Sequence, residues 1–365
     1  MKNKYYSLDA ILSKNAVYNV IFGERSNGKT TSVQEYALKE YVKNRSQLAV
    51  IRRWSDDFIG KRGQMMFAGL EHDGNGENKV AKITEGEWTG IYYYASKWYL
   101  CRYDEDGKRE VCEDPFAFGF SITAQEHDKS TSYPRIRTIL FDEFLTRTMY
   151  VNDEFILFMN TLSTIIRQRS DVKIFMLGNT VNKFCPYFGE MGLKHVRDMK
   201  PGSIDIYTYG DSKLTVAVEY VKPNKQGKQS DFYFAFDNPK LQMITGGAWE
   251  IDIYPHLPMK YEHKHVMFEY FVQFDGEILH AEIVEKDHCL FTFLHKKTTP
   301  VKDPGKDLVF SPDRSPLPNW TQNFFKPNNK LHERVLQIWK TDKVFYADNE
   351  TGEVMRNYLQ YCNAA

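Results

Sequence analysis

Residues 16–30 read AVYNVIFGERSNGKT, an apolar run that leads into a glycine-rich loop. The run at 16–22 is short, apolar and β-branched, which predicts a buried strand. Residues 29–43 carry apolar side chains at helical spacing, and 47–54 (QLAVIRRW) predict a second strand. A strand, a helix and a strand in this order indicate a β-α-β unit with parallel strands and a right-handed crossover.

The loop between the first strand and the helix has the spacing of a phosphate-binding loop. Gly23 and Gly28 frame four residues, and Lys29 and Thr30 follow directly. Backbone N–H groups of such a loop surround phosphate oxygens, and glycine lets the backbone come close to them. We therefore expect Lys29 to neutralise the β- and γ-phosphates of ATP and the Thr30 hydroxyl to bind Mg²⁺. The predicted nucleotide-binding residues of this segment are Gly23, Ser26, Asn27, Gly28, Lys29, Thr30 and Thr31.

A second strand end carries two acids. Residues 138–144 (TILFDEF) predict a buried strand that runs into Asp142 and Glu143. ATP hydrolysis needs one carboxylate to hold Mg²⁺ and another to orient the attacking water. Since adjacent side chains of a strand point to opposite sides, these two acids can take different roles at one sheet edge. The alternative is a strand that ends in solvated acids.

Further polar residues close three predicted elements. Arg167 and Arg169 end a helix, where an arginine can serve the γ-phosphate of a neighbouring subunit or simply face solvent. Asn179 ends the strand predicted over 172–179 and is either a γ-phosphate sensor or a turn residue. Arg52 and Arg53, near the end of the second strand, are either contacts of nucleotide or DNA phosphate or part of a solvated strand end.

Strands and helices alternate to about residue 180, which is typical of an α/β domain with a mainly parallel sheet. Within it, 55–82 predicts a polar loop and 90–120 a hairpin beside the main sheet. The helix predicted over 152–169 has an apolar face formed by Phe155, Met159, Leu162 and Ile166. We divide the chain into a nucleotide-binding domain at 1–203, a small linker subdomain at 204–250 and a β-rich α+β domain at 251–365.

Composition limits the possible classes of protein. The 365 residues are 42% hydrophobic and 26% charged, typical of a globular chain with full cores, and no apolar stretch is long enough to span a membrane. We expect a cytoplasmic location. Forty-eight basic residues balance forty-eight acidic ones, which argues against a uniformly basic nucleic-acid coat protein but allows a local basic surface. The five cysteines contain no CxxC pair and are expected to be reduced.

Together these segments resemble the DNA-packaging motor ATPases of small protein-primed podophages (the Picovirinae type), which are terminase-like ATPases of the ASCE P-loop class. The resemblance follows the order and spacing of motifs over roughly residues 5–190. The lysine–serine–two-residue–tyrosine–proline run before the acidic strand is the most distinctive, because generic P-loop enzymes lack it. The runs that carry it are IFGERSNGKT at 21–30, VIRRW at 50–54, KSTSYP at 129–134, TILFDEF at 138–144, RQR at 167–169, LGN at 177–179 and PYF at 186–188.

This resemblance implies a homopentameric ring on the phage portal that moves double-stranded DNA into a prohead, with a scaffold RNA as a further candidate partner. It implies that Asp142 is the Mg²⁺ carboxylate, Glu143 the catalytic base and Arg167 a finger that acts on a neighbouring subunit. Arg25 would be the loop arginine that packaging ATPases commonly contain. Lys129, like Arg53 and Arg169, would contact DNA or a neighbour's nucleotide. The protein would act in the host cytoplasm, transiently on the prohead.

In larger terminases the C-terminal domain is a nuclease of the ribonuclease-H type, in which clustered acids hold two metal ions. The corresponding region here offers Glu269, Asp275, Glu277 and Glu282, but no Asp interrupts an apolar strand. We expect a nuclease-like fold that lacks the nuclease site. Two alternatives to the motor stay open: a terminase-like ATPase with an active nuclease, and a DNA-binding module that ATP only switches.

Overall fold

The computed structural model describes residues 5–25, 27–72, 76–124, 131–146, 150–151, 153–179, 185–222 and 254–364. The chain forms two compact units. The first comprises the described residues up to 179 together with 195–222, and the second comprises 185–194 and 254–364.

A mixed sheet organises the first unit. Its ten described strands are β1 (Tyr18–Gly23), β2 (Gln47–Arg52), β3 (Gly90–Tyr94), β4 (Lys97–Tyr103), β5 (Arg109–Val111), β6 (Ala117–Ser121), β7 (Ile136–Asp142), β8 (Lys173–Asn179), β9 (Ile204–Tyr209) and β10 (Leu214–Tyr220). They lie in the order β3-β4-β6-β2-β7-β8-β1-β10-β9, and β5 pairs with β4. The six strands from β6 to β10 in this order are mutually parallel. This confirms the predicted α/β class with a mainly parallel sheet.

Helices flank this sheet. They are α1 (Asp9–Leu12), α2 (Lys29–Asn44), α3 (Gly60–Met65), α4 (Ala68–Glu71), α5 (Lys79–Ile83) and α6 (Glu154–Ile166), with 3-10 turns at Ser55–Phe58 and Val196–Asp198. Residues 55–82, predicted to be a loop, contain α3, α4 and most of α5. They fold because Phe58, Phe67, Leu70 and Val80 pack into the core of the unit.

The buried face of α6 differs from the predicted one. Phe158, Leu162 and Ile165 are buried, whereas Met159 is 37% exposed. Phe141 of β7 stacks on Phe158 with ring centroids 4.9 Å apart. The predicted set shares only Leu162 with the observed set, because both sides of this apolar helix offer residues at helical spacing and the sheet selects one.

The predicted boundary at residue 203 falls inside the first unit. β9 and β10 cover 204–220, which we assigned to a linker subdomain, and β10 pairs in parallel with β1. The apolar residues of β10 bury against the phosphate-loop strand, so this segment completes the sheet rather than linking two domains. Residues 223–250, nearly all of the rest of the predicted linker, lie outside the described residues.

A second sheet organises the second unit. Its six described strands are β11 (Val266–Phe274), β12 (Glu277–Lys286), β13 (Cys289–Lys296), β14 (Leu308–Phe310), β15 (Trp320–Thr321) and β16 (Val344–Tyr346), in the order β15-β14-β11-β12-β13-β16. The first three are antiparallel, and β14 is parallel to β11. The helices are α7 (Pro186–Glu190), α8 (Lys330–Trp339) and α9 (Asn349–Ala364), with a 3-10 turn at His263–His265. Side chains of α8 and α9 pack on one face of this sheet and form its core.

Candidate nucleotide-binding site

The loop between β1 and α2 is shaped to receive an anion. Gly28 takes a left-handed conformation with φ 90°, and no side chain caps the start of α2. A Cβ atom at Gly28 would lie 3.2 Å from the Cβ of Tyr5, so both the backbone angle and the space favour glycine. The free N–H groups of the first helical turn and the positive end of the helix dipole are available to phosphate oxygens.

Lys29 lies within this loop and is almost fully buried. Its Nζ donates to the carbonyl oxygen of Glu24 (2.6 Å) and to Oδ1 of Asn27 (3.1 Å), and lies 3.5 Å from Oδ1 of Asn179. Burial lowers the pKa of Lys29 to about 8, although the charges of Asp142 and Glu24 oppose this shift. The ammonium group is thus held among neutral oxygens, a desolvated position in which a phosphate would stabilise it strongly.

A buried donor of the loop lacks a hydrogen-bond acceptor among the described residues. The side-chain nitrogen of Asn27 is buried and has no hydrogen-bond partner within the described part of the chain. A buried N–H group left without an acceptor costs about 1–3 kcal/mol. A phosphate oxygen held in the loop would supply that acceptor, so this atom fits the nucleotide that the sequence predicts.

Thr30 and Asp142 come together although they are 112 positions apart. The Thr30 hydroxyl donates to Oδ1 of Asp142 at 3.2 Å. Burial raises the pKa of Asp142, and the charge of Arg52 acts against this shift. Mg²⁺ prefers oxygen ligands such as a hydroxyl and a carboxylate, so the pair fits the predicted metal.

Glu143 follows in an uncommon backbone conformation, with φ 63°. The left-handed region is strained for a residue with a side chain, and such residues concentrate at functional sites. Arg52 bridges the two acids: one guanidinium nitrogen lies 2.8 Å from Oε2 of Glu143, and the other lies 3.3 Å from Oδ2 of Asp142. The Glu143 side chain is otherwise open to solvent, being 61% exposed.

Arg53 does not face solvent, as a DNA contact would require. Its guanidinium forms two hydrogen bonds with the carboxylate of Glu154, at 2.7 and 2.8 Å, and both side chains are buried. It also donates to the carbonyl oxygens of Glu143 and Phe144. The structure thus ties Arg53 to the backbone beside the acidic pair.

The two arginines after α6 differ. Arg169 donates to the carbonyl oxygens of Pro134 and Ile136 and of its own helix end, which fixes it in place. Arg167 is exposed, has φ 54° and donates to the carbonyl oxygen of Thr131 at 3.0 Å. Arg167 is not among the residues that line the cleft with Lys29 and Glu143.

A cleft of about 1510 Å³ lies between the phosphate loop and the strand ends that carry Asp142 and Asn179. Among its lining residues are Tyr5, Arg25, Thr31, Asp142, Glu143 and Asn179. Register explains why Asn179 is there, since Gly23 at the end of β1 is the partner of Asn179 at the end of β8. Ser26 and Lys129, two predicted site residues, lie outside the described residues.

Two features of the site escaped the sequence reasoning. Arg52 and Arg53 have the same interpretation in the sequence, but only Arg52 contacts both acids. Strand alternation puts the two arginines on opposite sides without saying which side each takes. The segment before α1 also covers the loop: the N–H of Tyr6 donates to the carbonyl oxygen of Asn27, and its hydroxyl donates to Glu219. No motif in the sequence marks this segment.

Comparison with known proteins identifies relatives. The family model described as podovirus DNA encapsidation protein (Gp16) matches residues 105–226. The DNA packaging protein of Bacillus phage B103 is 26% identical over 188 residues, which are 50% of each chain. That of Bacillus phage phi29 is 25% identical over 190 residues, 51% of this chain and 50% of its own. The chain is related to the podovirus DNA encapsidation proteins. The resemblance seen in the sequence is therefore confirmed, although the matches to these curated relatives span only about half of their length.

Solved structures extend the likeness in fold to nearly the whole chain. The Phi-28 gp11 DNA packaging motor superposes with a TM-score of 0.57 at 16% identity, covering 99% of this chain and 98% of its own. The packaging motor assembly of bacteriophage Phi-29 gives 0.57 at 17% identity, covering 98% and 100%. At such low identity the likeness establishes the fold alone. The helices of the described residues are too short or too polar to cross a bilayer.

Proposed function

We propose that this protein is an ATP-hydrolysing motor that moves double-stranded viral DNA into a phage prohead. The observation that carries the proposal is the convergence of the buried Lys29, the Thr30–Asp142 pair and the strained Glu143 at one sheet edge. Nucleotide binding alone needs no carboxylate poised in this way, whereas hydrolysis does. The relationship to DNA packaging proteins supports the proposal that hydrolysis is coupled to the movement of DNA.

In this proposal the loop at 23–30 holds the phosphates of ATP, and Arg25, Asn27 and Thr31 contact the nucleotide from the cleft. Lys29 neutralises the transferred phosphoryl group as charge moves onto it. Thr30 and Asp142 would hold Mg²⁺, which supplies further neutralisation of the phosphate oxygens. Asn179 extends from the strand next to β1 and would sense the γ-phosphate.

Glu143 would activate the attacking water. Its carboxylate is exposed to the cleft and held by Arg52 alone among the ion pairs of the described residues. The strand that ends in Asp142 is separated from β1 by β8, an order that supports the ASCE class of P-loop ATPase. In this class a carboxylate beside the magnesium ligand acts as the general base, worth roughly 10² to 10⁴ in rate.

The partners follow from the relatives. A protein described as part of a genome packaging motor assembly shares this fold along almost its whole length. We therefore propose that the chain works as a homo-oligomeric ring, a pentamer, on the portal of a prohead in the host cytoplasm, with double-stranded DNA in its centre. A scaffold RNA is a further candidate in the assembly.

The second unit would serve the motor without cutting DNA. Three antiparallel strands followed by strands parallel to the first form an order that supports a ribonuclease-H-like fold. Asp275 lies in the turn after β11 with φ 51°, and Glu277 pairs with Lys296. Of the four predicted acids only Glu269 and Glu282 lie together among the described residues, which supports a domain without the acid cluster of two-metal catalysis. Of the predicted division of the chain, only a linking segment that ends near residue 250 is kept as a proposal.

Replacing Glu143 by Gln tests the motor. We expect Glu143→Gln to bind ATP with nearly wild-type affinity and to lower ATP turnover at least 100-fold, because the amide cannot accept a proton. Turnover is measured with the full chain, portal-bearing proheads and DNA, and binding with a fluorescent ATP analogue. Glu87→Gln, at an exposed glutamate away from the cleft, is the matched control and should keep both activities.

Other outcomes separate the alternatives. If Glu143→Gln loses ATP turnover but still packages DNA at the wild-type rate, ATP acts as a switch and the motor proposal fails. Cleavage of DNA in the presence of Mn²⁺ and the absence of ATP would instead reveal an active nuclease.

Arg167 is proposed as the finger that acts on the ATP of a neighbouring subunit. Arg167→Ala should lower turnover in uniform rings by roughly 10³-fold, the scale of an arginine finger. In rings that mix Arg167→Ala and Glu143→Gln subunits, a Glu143→Gln subunit still supplies Arg167. It can serve a neighbouring Arg167→Ala subunit, which keeps Glu143, so part of the activity should return. Wild-type turnover in uniform Arg167→Ala rings would contradict the assignment.

A further inference from the structure

Four potential ligand residues share the face of the second sheet that α8 and α9 do not cover. His280 and Glu282 lie two positions apart on β12 and therefore point to the same side. Cross-strand register places Glu269 of β11 opposite Glu282, and His295 of β13 opposite His280. The ligand atoms of His280, Glu282 and His295 all lie within 4.8 Å of one another.

His280 has a buried nitrogen without a hydrogen-bond partner. Its Nε2 is inaccessible to solvent and forms no hydrogen bond with the described residues, although Oε2 of Glu269 lies 3.5 Å away. Such an atom costs free energy unless something binds it. Phe271 stacks on the ring with centroids 4.9 Å apart, which fixes the plane in which Nε2 points.

Neighbouring groups orient two of the other donors. Nδ1 of His295 lies 3.0 Å from the carbonyl oxygen of Lys296. A carbonyl can only accept, so this contact places the ring proton on Nδ1 and leaves the Nε2 lone pair free. The Tyr261 hydroxyl donates to the carboxylate of Glu282. Hydrogen bonds of this kind behind a histidine or carboxylate are what protein metal sites use to aim their ligands.

We propose that the second unit binds one zinc ion through His280, His295, Glu282 and Glu269. Two imidazoles with carboxylates are a donor set that suits zinc, whereas Mg²⁺ prefers oxygen ligands. Ligand atoms around a tetrahedral zinc are roughly 3.3 Å apart, so the present separations close with modest side-chain rotations. The ion would tie together the three central strands β11, β12 and β13. It is separate from the Mg²⁺ of the nucleotide site and from a two-metal nuclease site.

Zinc titration of the untagged, reduced full chain without nucleotide tests this site. Calorimetry should show one zinc ion per chain, and zinc but not millimolar Mg²⁺ should raise the unfolding temperature. The double variant His280→Gln/His295→Gln should weaken zinc binding at least tenfold. The matched controls are His288→Asn, in the exposed β12–β13 turn with φ 61°, and His263→Gln at the edge of the cluster; both should bind within twofold of wild type.

X-ray absorption by the zinc-loaded wild type makes the test independent of how the variants fold. We expect only nitrogen and oxygen ligands at about 2.0–2.2 Å, with the imidazole signature. A sulfur shell at about 2.3 Å would assign the ion to cysteines, which form no disulfide within the described residues, and would overturn the proposal. The same holds if wild type binds no zinc, if the double variant binds as wild type does, or if His263→Gln alone abolishes binding.

Discussion

The two sheets gather charged side chains in different ways. In the first, the charges lie at strand ends and meet opposite charges before any ligand arrives, as Arg52 does with Asp142 and Glu143. In the second, they lie in mid-strand, and the ion pairs of Glu269 with described residues are to the histidines 263 and 280. The first site can therefore accept an anion together with its metal. The second presents carboxylates and imidazole nitrogens, whose negative charge and lone pairs suit a bound cation.

The pairing of opposite charges in the first unit continues into its interior. Arg53 and Glu154 form a buried pair, and the same guanidinium holds two backbone carbonyls beside the acidic strand end. Removing one member of a buried pair leaves the other charge desolvated and unbalanced. If paired opposite charges stabilise the first unit, removing one member of this buried pair should lower its free energy of unfolding most.

The largest effect is therefore expected from Arg53→Ala. Its free energy of unfolding should fall by about 3–5 kcal/mol, the usual cost of leaving a buried charge unpaired. Chemical denaturation followed by tryptophan fluorescence measures this change. The matched control is Arg102→Ala, whose partner Glu110 is half exposed, and which should cost about 1 kcal/mol or less.

A second variant separates charge from packing at the same place. The double change Arg53→Met/Glu154→Leu removes both charges and should recover much of the lost stability, since apolar replacements of buried pairs are often neutral or better. Unchanged stability of Arg53→Ala with weakened DNA binding would instead return this residue to the DNA-contact role suggested by the sequence.

What the sequence could predict follows the same division. The phosphate loop at 23–30 is contiguous, so its residues are neighbours in any fold that places it between a strand and a helix. Asp142, Glu143 and Asn179 could be placed because the ends of parallel strands meet at one edge, whatever their order. The predicted fold class needed only the alternation of strands and helices.

Other features depend on orientation or register, which a single sequence does not contain. Arg52 and Arg53 are adjacent, and only the packed sheet decides which one reaches the acids and which one is buried. Likewise Glu269, His280 and His295 lie on three strands whose pairing brings them together. A shift of one residue along any of these strands would turn its side chain to the other face.

A smaller effect is expected from pH on nucleotide binding. Lys29 is compensated only in part, since burial lowers its pKa to about 8 in the free protein. Bound phosphates would raise that pKa, because a nearby negative charge favours the ammonium form. ATP affinity should hence be full below pH 8 and fall above it, by up to tenfold per pH unit, which is about 1.4 kcal/mol.

Two lysine variants show whether Lys29 causes this pH dependence. Lys39→Met, at a lysine that is 61% exposed in the same cleft, should keep the loss of affinity above pH 8. Lys29→Met should bind ATP weakly at every pH, and its affinity should no longer change between pH 7 and 9.5. A fluorescent ATP analogue measures all three proteins. If wild type binds equally well at pH 7 and 9.5, Lys29 is not held in a desolvated state. Its ammonium charge would then be balanced in the free protein as fully as the charges of Asp142 and Glu143.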